Sequence, residues 1–343
     1  MGKIKAHLLL LLLSAGFIAV AQSPVDRSRF FKDDQLITMD LTTDLKKLIA
    51  DKKADQYQPA TVTLHFPDST VITEPITLTA RGEYRRKECF VPSIKLDFKN
   101  DSTHKLLAPL KKLKLVVGCG TRSADEKLVL KEYLVYKIYN QLTEMSFRVR
   151  LLRINFTDTR EKIKPYTQFG FLIEDVDDMA KRNNCKEVDK PAFHQERTDR
   201  QQMTLVSIFQ YMIGNTDWAV PPYHNIKLMR PTGDSISFPY TIPYDFDFCG
   251  LVNANYAVPH EALEIKSVTE RLYRGFSRTI EEIQRTLEIF ASKKENIKNL
   301  VMNFEWLDQR SKKDVSGYLD DFYEIISNKY QVEREFITNA RTD

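Results

Sequence analysis

Apolar and polar residues alternate along the first half of the chain with the period of strands. In "QPATVTLHFPDSTVITEPITLTARGEYRR" the alternation is broken at Pro67-Asp68 and Glu74-Pro75, which predicts antiparallel strands joined by turns. In "VPSIKLDFK" Ile94, Leu96 and Phe98 share one face, and Ser93, Lys95 and Asp97 share the other. Upstream, "FFKDDQLITMDLTTDLKKLIADKK" reads as a short strand and a helix, and "LKKLKLVVG" adds another strand. The period then lengthens. "SADEKLVLKEYLVYKIYNQL" opens with Ser123 and Glu126 at capping-box spacing and is apolar around most of its circumference, which predicts a largely buried helix.

Two further strands, "SFRVRLLRINF" and "TQFGFLIED", lead to a polar connection, "RNNCKEVDKPAFHQERTDR", expected to be the boundary between two lobes or a surface insertion. Beyond it, "QQMTLVSIFQYMIG" is an apolar helix closed by Gly214, and "HNIKLMR" and "SFPYTIPYDFDF" are strands around a Pro231-Thr232-Gly233-Asp234 turn. From Glu261 the pattern is helical to the end. The order predicts an α+β protein: a strand-rich N-terminal lobe with one buried helix over 22–180, then a helix-rich lobe over 181–343.

The chain opens "MGKIKAHLLLLLLSAGFIAVAQS", with Lys3 and Lys5 before an apolar run and then Ala19-Val20-Ala21. This reads as a signal peptide over 1–21, so the mature protein is expected to be exported, periplasmic or extracellular, with no membrane span left after cleavage. Removal of Lys3 and Lys5 takes the formal net charge from +4 to +2, a balance that calls for no nucleic-acid partner. Cys89, Cys119, Cys185 and Cys249 could pair in any of three connectivities or remain buried thiols.

Carboxylates in apolar surroundings mark the chemistry. Asp245 and Asp247 interrupt "TIPYDFDFCGLVN", and Asp217 and Asn225 interrupt "IGNTDWAVPPYHNIKLM". An unpaired buried charge is costly, so such residues have partners, a metal or a reaction to serve. A hairpin would bring an Asp in the loop after a buried helix, an Asn at the start of a strand and an Asp at the end of the next to one edge, where oxygen ligands suit magnesium and a carboxylate left off the metal can orient a nucleophile. The alternatives from the residues themselves are an Asx turn for Asp217, paired capping carboxylates for Asp245 and Asp247, and core roles for His224, Phe246 and Phe248.

The order "GNTDW…HNIKL…IPYDFDF", with "RGEYRR…PSIKLDF", "LKLVV…LVLKEYLVYKIY" and "FGFLIEDVDD" before it, resembles the CotH kinase family, secreted atypical kinases first associated with bacterial spore coats. The resemblance spans about half of the mature chain. It implies a two-lobed kinase-like fold that binds ATP with Mg2+ (or Mn2+) and transfers the γ-phosphate to a protein hydroxyl, the chain itself included. Carried over by position, Asp217 would orient or deprotonate the acceptor, Asn225 and Asp245 would ligate the metal, and Asp247 would support them. Lys95 would contact phosphates and pair with Glu132, and Arg81 beside Gly82 would position a phosphate. The chain departs from the pattern in lacking a glycine-rich loop, in carrying Pro92 where another Lys is common, and in its Pro221-Pro222 insertion between Asp217 and Asn225. A non-catalytic pseudokinase that binds a partner in the envelope is therefore the runner-up, and a glycoside hydrolase using Asp217 with Asp245 or Asp247 is a third class.

Overall fold

The computed structural model describes residues 28–52, 56–98, 107, 110–188 and 194–342. The export signal read over 1–21 lies outside them. Seven strands close into a barrel: β1 (Ile37–Thr43), β2 (Gln58–His65), β3 (Val71–Arg81), β4 (Ser93–Asp97), β5 (Lys112–Val117), β6 (Val149–Asp158) and β7 (Tyr166–Ile173), in the order β1-β2-β3-β4-β5-β7-β6. All neighbours are antiparallel except β1 and β6, whose parallel pairing closes the ring. A sheet that closes leaves no unpaired edge. The turn expected at Glu74-Pro75 does not form, because β3 runs through it. Pro75 pairs with Thr61 on β2, and pairing with β4 starts only at Thr77, so the missing N–H falls where β3 has one neighbour.

Ile94, Leu96 and Phe98 point into the barrel with Ile37, Leu78, Leu115 and Leu172. Val116, Phe171 and Ile173 point the other way, into a second core built on α4 (Ser123–Leu142). The buried helix thus belongs as much to the C-terminal part as to the strands. Its capping box sits one residue earlier than the sequence indicates: Asp125, not Glu126, accepts from Arg122 N at 3.1 Å. Glu126 instead accepts from Phe169 N at 3.2 Å on β7, away from the candidate site.

The remaining α-helices and strands are α1 (Ser28–Lys32), α2 (Leu45–Ala50), α3 (Glu83–Glu88), α5 (Val176–Arg182), β8 (Cys185–Glu187), α6 (Arg200–Met212), β9 (Ile226–Pro231), β10 (Tyr240–Pro243), α7 (Ile280–Met302), α8 (Gln309–Ser327) and α9 (Lys329–Glu333), with a 3-10 turn at Gln195–Arg197 and a π-helical turn at Arg334–Thr338. The fold is a mixed α+β arrangement with a sheet-rich part and a helical part. β8, inside the stretch read as a polar connection, joins β9 and β10 in a three-stranded sheet of order β10-β9-β8. Residues 261–279, expected to begin the helical run, form irregular backbone, and helix starts only at the Thr279 cap of α7. Among the described residues no helix is long and apolar enough to cross a membrane.

Gly214 closes α6 at φ +64°, and a β-carbon there would lie 2.0 Å from Tyr318 Oη. Only glycine fits that combination of left-handed backbone and close contact.

Candidate functional site

Three segments supply the candidate residues: the loop after α6 brings Asp217, the entry to β9 brings Asn225, and the loop after β10 brings Asp245 and Asp247. They meet the rim of the barrel at α3, around a cleft of about 510 Å³ whose lining includes Arg81, Arg85, Ser93, Asp217, Asn225, Asp245, Asp247 and Phe248.

The loop after α6 is folded by Asn215, whose Oδ1 accepts from Asp217 N at 3.0 Å while its carbonyl accepts from Trp218 Nε1 at 3.1 Å. Asn215 therefore makes the Asx turn that the sequence offered as a role for Asp217. The Asp217 carboxylate is left for other partners: His224 Nε2 lies 2.7 Å from Oδ1, and Asn225 Nδ2 donates to Oδ2 at 2.9 Å. His224 is exposed rather than a core residue, but it does make the hydrogen bond expected of it.

Asn225 and Asp245 both adopt left-handed backbone, at φ +53° and +63°. Such conformations in non-glycine residues are strained and need surrounding support. Here Tyr244 N donates to the Asn225 carbonyl at 3.1 Å, and Asp245 N donates to Tyr136 Oη of α4 at 2.9 Å. Asp245 thus follows β10 on an irregular turn and is not part of a strand. Phe246 is fully buried, whereas Phe248 turns toward the cleft and packs edge-on against Tyr84, with ring centroids 5.1 Å apart.

Asp247 is buried. It accepts from Tyr256 Oη at 3.0 Å and lies 3.5 Å from Arg85 Nε. Burial and the neighbouring Asp245 push its carboxyl up to about 6, against the pull of Arg85. Glu132 of α4 is just as enclosed, and its Oε1 has no hydrogen-bond partner. Burial, then Asp247, drives its pKa well above the usual carboxylate range, with Arg85 opposing. One guanidinium therefore serves two buried acids.

The cation near Glu132 is Arg85, and no hydrogen bond or ion pair joins Lys95 to Glu132. Lys95 does lie on the outward face of β4, as its alternation indicates, directly opposite Lys114 of β5. Lys114 packs on an aromatic ring. Its Nζ sits 4.7 Å from the centre of the Tyr244 ring, and burial, then the charge of Arg81, lowers its pKa to about 8 while Asp245 opposes. Arg81 ends β3 just before Gly82 turns the chain at φ +78°.

Asp217, Asn225, Asp245, Asp247 and Arg81 are thus brought to one cleft, Glu132 lies behind it, and Lys95 is not tied to it. Arg85, Lys114, Tyr136 and Tyr256 went unnoticed in the sequence. Arg85, Lys114 and Tyr136 all stand in segments quoted for the resemblance, "RGEYRR", "LKLVV" and "LVLKEYLVYKIY", but a charged residue in a basic run or a Tyr in an apolar helix gives no indication of its partner. Cys89 and Cys119 form a disulfide, one of the pairings left open, while Cys185 and Cys249 are free and buried. Burial pushes the Cys249 thiol up to about 12, which suits an inert side chain.

Among the described residues no three His, Cys, Asp or Glu side chains form a ready-made metal cage. The donors lining the cleft include the carboxylates of Asp217, Asp245 and Asp247 and the amide of Asn225. Magnesium is commonly held by such a small protein set together with phosphate oxygens, so the residues fit a metal that arrives with a nucleotide.

No family model matches the chain, and no curated protein matches it. Among solved structures, the proinflammatory kinase CtkA of Helicobacter pylori is similar at a TM-score of 0.37 and 10% identity, over 68% of this chain and 90% of that one. A likeness this loose assigns neither a fold nor an activity.

Proposed function

We propose that the protein is an exported, CotH-like atypical kinase that binds a Mg-nucleotide in the cleft between the barrel rim and the helical part and transfers its γ-phosphate to a protein hydroxyl. The observation that carries this reading is the state of Asn225. Its Nδ2 is committed to two oxygens of Asp217, so its Oδ1 is the end left to accept a cation, next to Asp245. Hydrolysis of a glycoside gives that amide no task, whereas a metal-nucleotide site uses it directly.

In this reading Asn225 and Asp245 hold the metal, and Asp247, kept in place by Tyr256 and Arg85, supports them. Bound there, magnesium would neutralise charge on the transferring phosphoryl oxygens. Arg81 and the neighbouring Lys114 face the remaining phosphate charge. Asp217 orients the acceptor: its hydroxyl oxygen forms the new bond to the γ-phosphorus, the bridging P–O bond breaks, the nucleoside diphosphate leaves, and the hydroxyl proton passes to Asp217. A neighbouring cleft of about 420 Å³ shares Asp217 and Phe248 with the first and leaves room for an acceptor. The disulfide fits the oxidising compartment that export implies.

The test is thermal unfolding of the mature protein with ATP, with and without Mg2+ or Mn2+, paired with transfer of labelled γ-phosphate to itself and to a generic protein acceptor. A metal-dependent rise in Tm together with labelled protein is expected. A rise without transfer favours the pseudokinase, and no rise with any nucleotide removes the kinase reading.

A further inference from the structure

Between Gly82 and Phe90 the chain presents nearly everything to water: only Arg85 and Cys89 are buried. A helix as short as α3 does not hold itself together, and this one packs no aliphatic or aromatic side chain into either core. Arg85 is the one buried residue of the helix, and Cys89, four positions on, is the extended residue that caps its C-terminus. Each is anchored on the same neighbour. Cys89 is joined to Cys119, just past the end of β5. Arg85 Nη1 donates to Val117 O, the last residue of β5, at 2.9 Å and to Ser93 Oγ at 3.0 Å, which leaves Nε facing Asp247. The other ties of the segment are Tyr84, with Oη to Tyr256 O and its ring against Phe248 and Tyr256, Arg86 to Lys52 O, Lys52 Nζ to Cys89 O, and Arg85 Nη2 to Tyr256 Oη.

We propose that the Cys89–Cys119 disulfide sets the position of α3, and that Arg85 on α3 is a positioning residue which holds Asp247, so that this end of the cleft is assembled only in the oxidised protein. The inference rests on the reading above only in taking this cleft as the functional one. Opening it is a two-electron step. A dithiol reductant attacks one sulfur, the S–S bond breaks, both cysteine sulfurs end as thiols after taking up two protons, and the reductant closes its own disulfide. Arg85 then keeps its hydrogen-bonding groups but loses the covalent anchor one turn away.

Hydrogen exchange on the mature protein decides it, comparing oxidised protein, protein reduced with dithiothreitol, the C89S/C119S double variant and Arg85→Lys. Amides of residues 83–89 and 245–249 should exchange roughly tenfold faster or more after reduction and in the double variant, while those of α8 keep their protection and report that the fold persists. Added reductant should change nothing further in the double variant. Arg85→Lys should speed exchange at 245–249 with the disulfide intact, because an ammonium cannot bond Val117, Ser93 and Asp247 together. Unchanged exchange at 245–249 in the reduced protein overturns the proposal. Mg-ATP thermal shifts on the same oxidised and reduced samples separate the two ideas: no shift in either sinks the kinase reading, and the exchange data still decide the clamp.

Discussion

Asn225 Nδ2 donates to Asp217 twice, to the main-chain carbonyl at 2.8 Å and to carboxylate Oδ2 at 2.9 Å. This pair links the loop after α6 to the entry of β9 and fixes which end of the amide faces outward. Asn225→Ala removes both bonds and places an alanine at φ +53°. It should cost roughly 1–3 kcal/mol of stability, the scale of two lost hydrogen bonds and an unfavourable backbone conformation. It should also abolish the metal-dependent part of the nucleotide-induced rise in Tm. A full metal-dependent shift in this variant would show that the amide oxygen is not a ligand.

Asp217→Asn separates binding from transfer. Nucleotide and metal binding should persist while labelled γ-phosphate transfer falls by roughly 10²-fold, the scale of a general-base contribution. Transfer equal to wild type at matched folded concentration would take Asp217 out of the reaction.

Arg85 and Glu132 should differ sharply in what their neutralisation costs. Glu132 is held toward its neutral form, so Glu132→Gln replaces it with a side chain of similar shape and should change stability by no more than about 1 kcal/mol. Arg85→Ala strips the cation from two buried acids and should cost about 3–5 kcal/mol, as removal of one partner of a buried ion pair does. Urea unfolding midpoints measure both. A loss for Glu132→Gln as large as that for Arg85→Ala would show that the Glu132 anion is structural.

The raised pKa of Asp247 gives stability a pH signature. The carboxyl titrates near 6 in the folded protein, against 3.8 for an ordinary aspartate. Between these values the folded chain holds a proton that the unfolded chain has released, so the stabilisation is present at low pH and is lost as pH rises through about 6. The change should be on the order of 2–3 kcal/mol at most. Asp247→Asn should flatten that segment of the pH–stability curve, measured by urea unfolding between about pH 4 and 7. The same decline in wild type and variant would assign it to another group.

The sequence by itself determined the elements whose periodicity one buried face enforces. The alternation of Ile94, Leu96 and Phe98 fixes which side of β4 enters the barrel, and the all-round apolar character of α4 fixes its burial, because exposing either face would forfeit the hydrophobic gain. The carboxylates that gather at the candidate cleft were legible as residues in need of partners for the converse reason: Asp217, Asp245 and Asp247 stand in apolar surroundings where a charge needs a purpose. Only the tertiary structure decided the partners. Closure of the barrel depends on the pairing of β1 with β6, strands more than 100 residues apart that carry no local mark of each other. Glu132 meets Arg85 rather than Lys95 because α3 folds back over the end of β5, and the Cys89–Cys119 pairing is set by that same approach. A single charged or sulfur-bearing side chain has no periodicity to betray its neighbour. Its partner is chosen by which backbone segments close packing brings within a few ångströms.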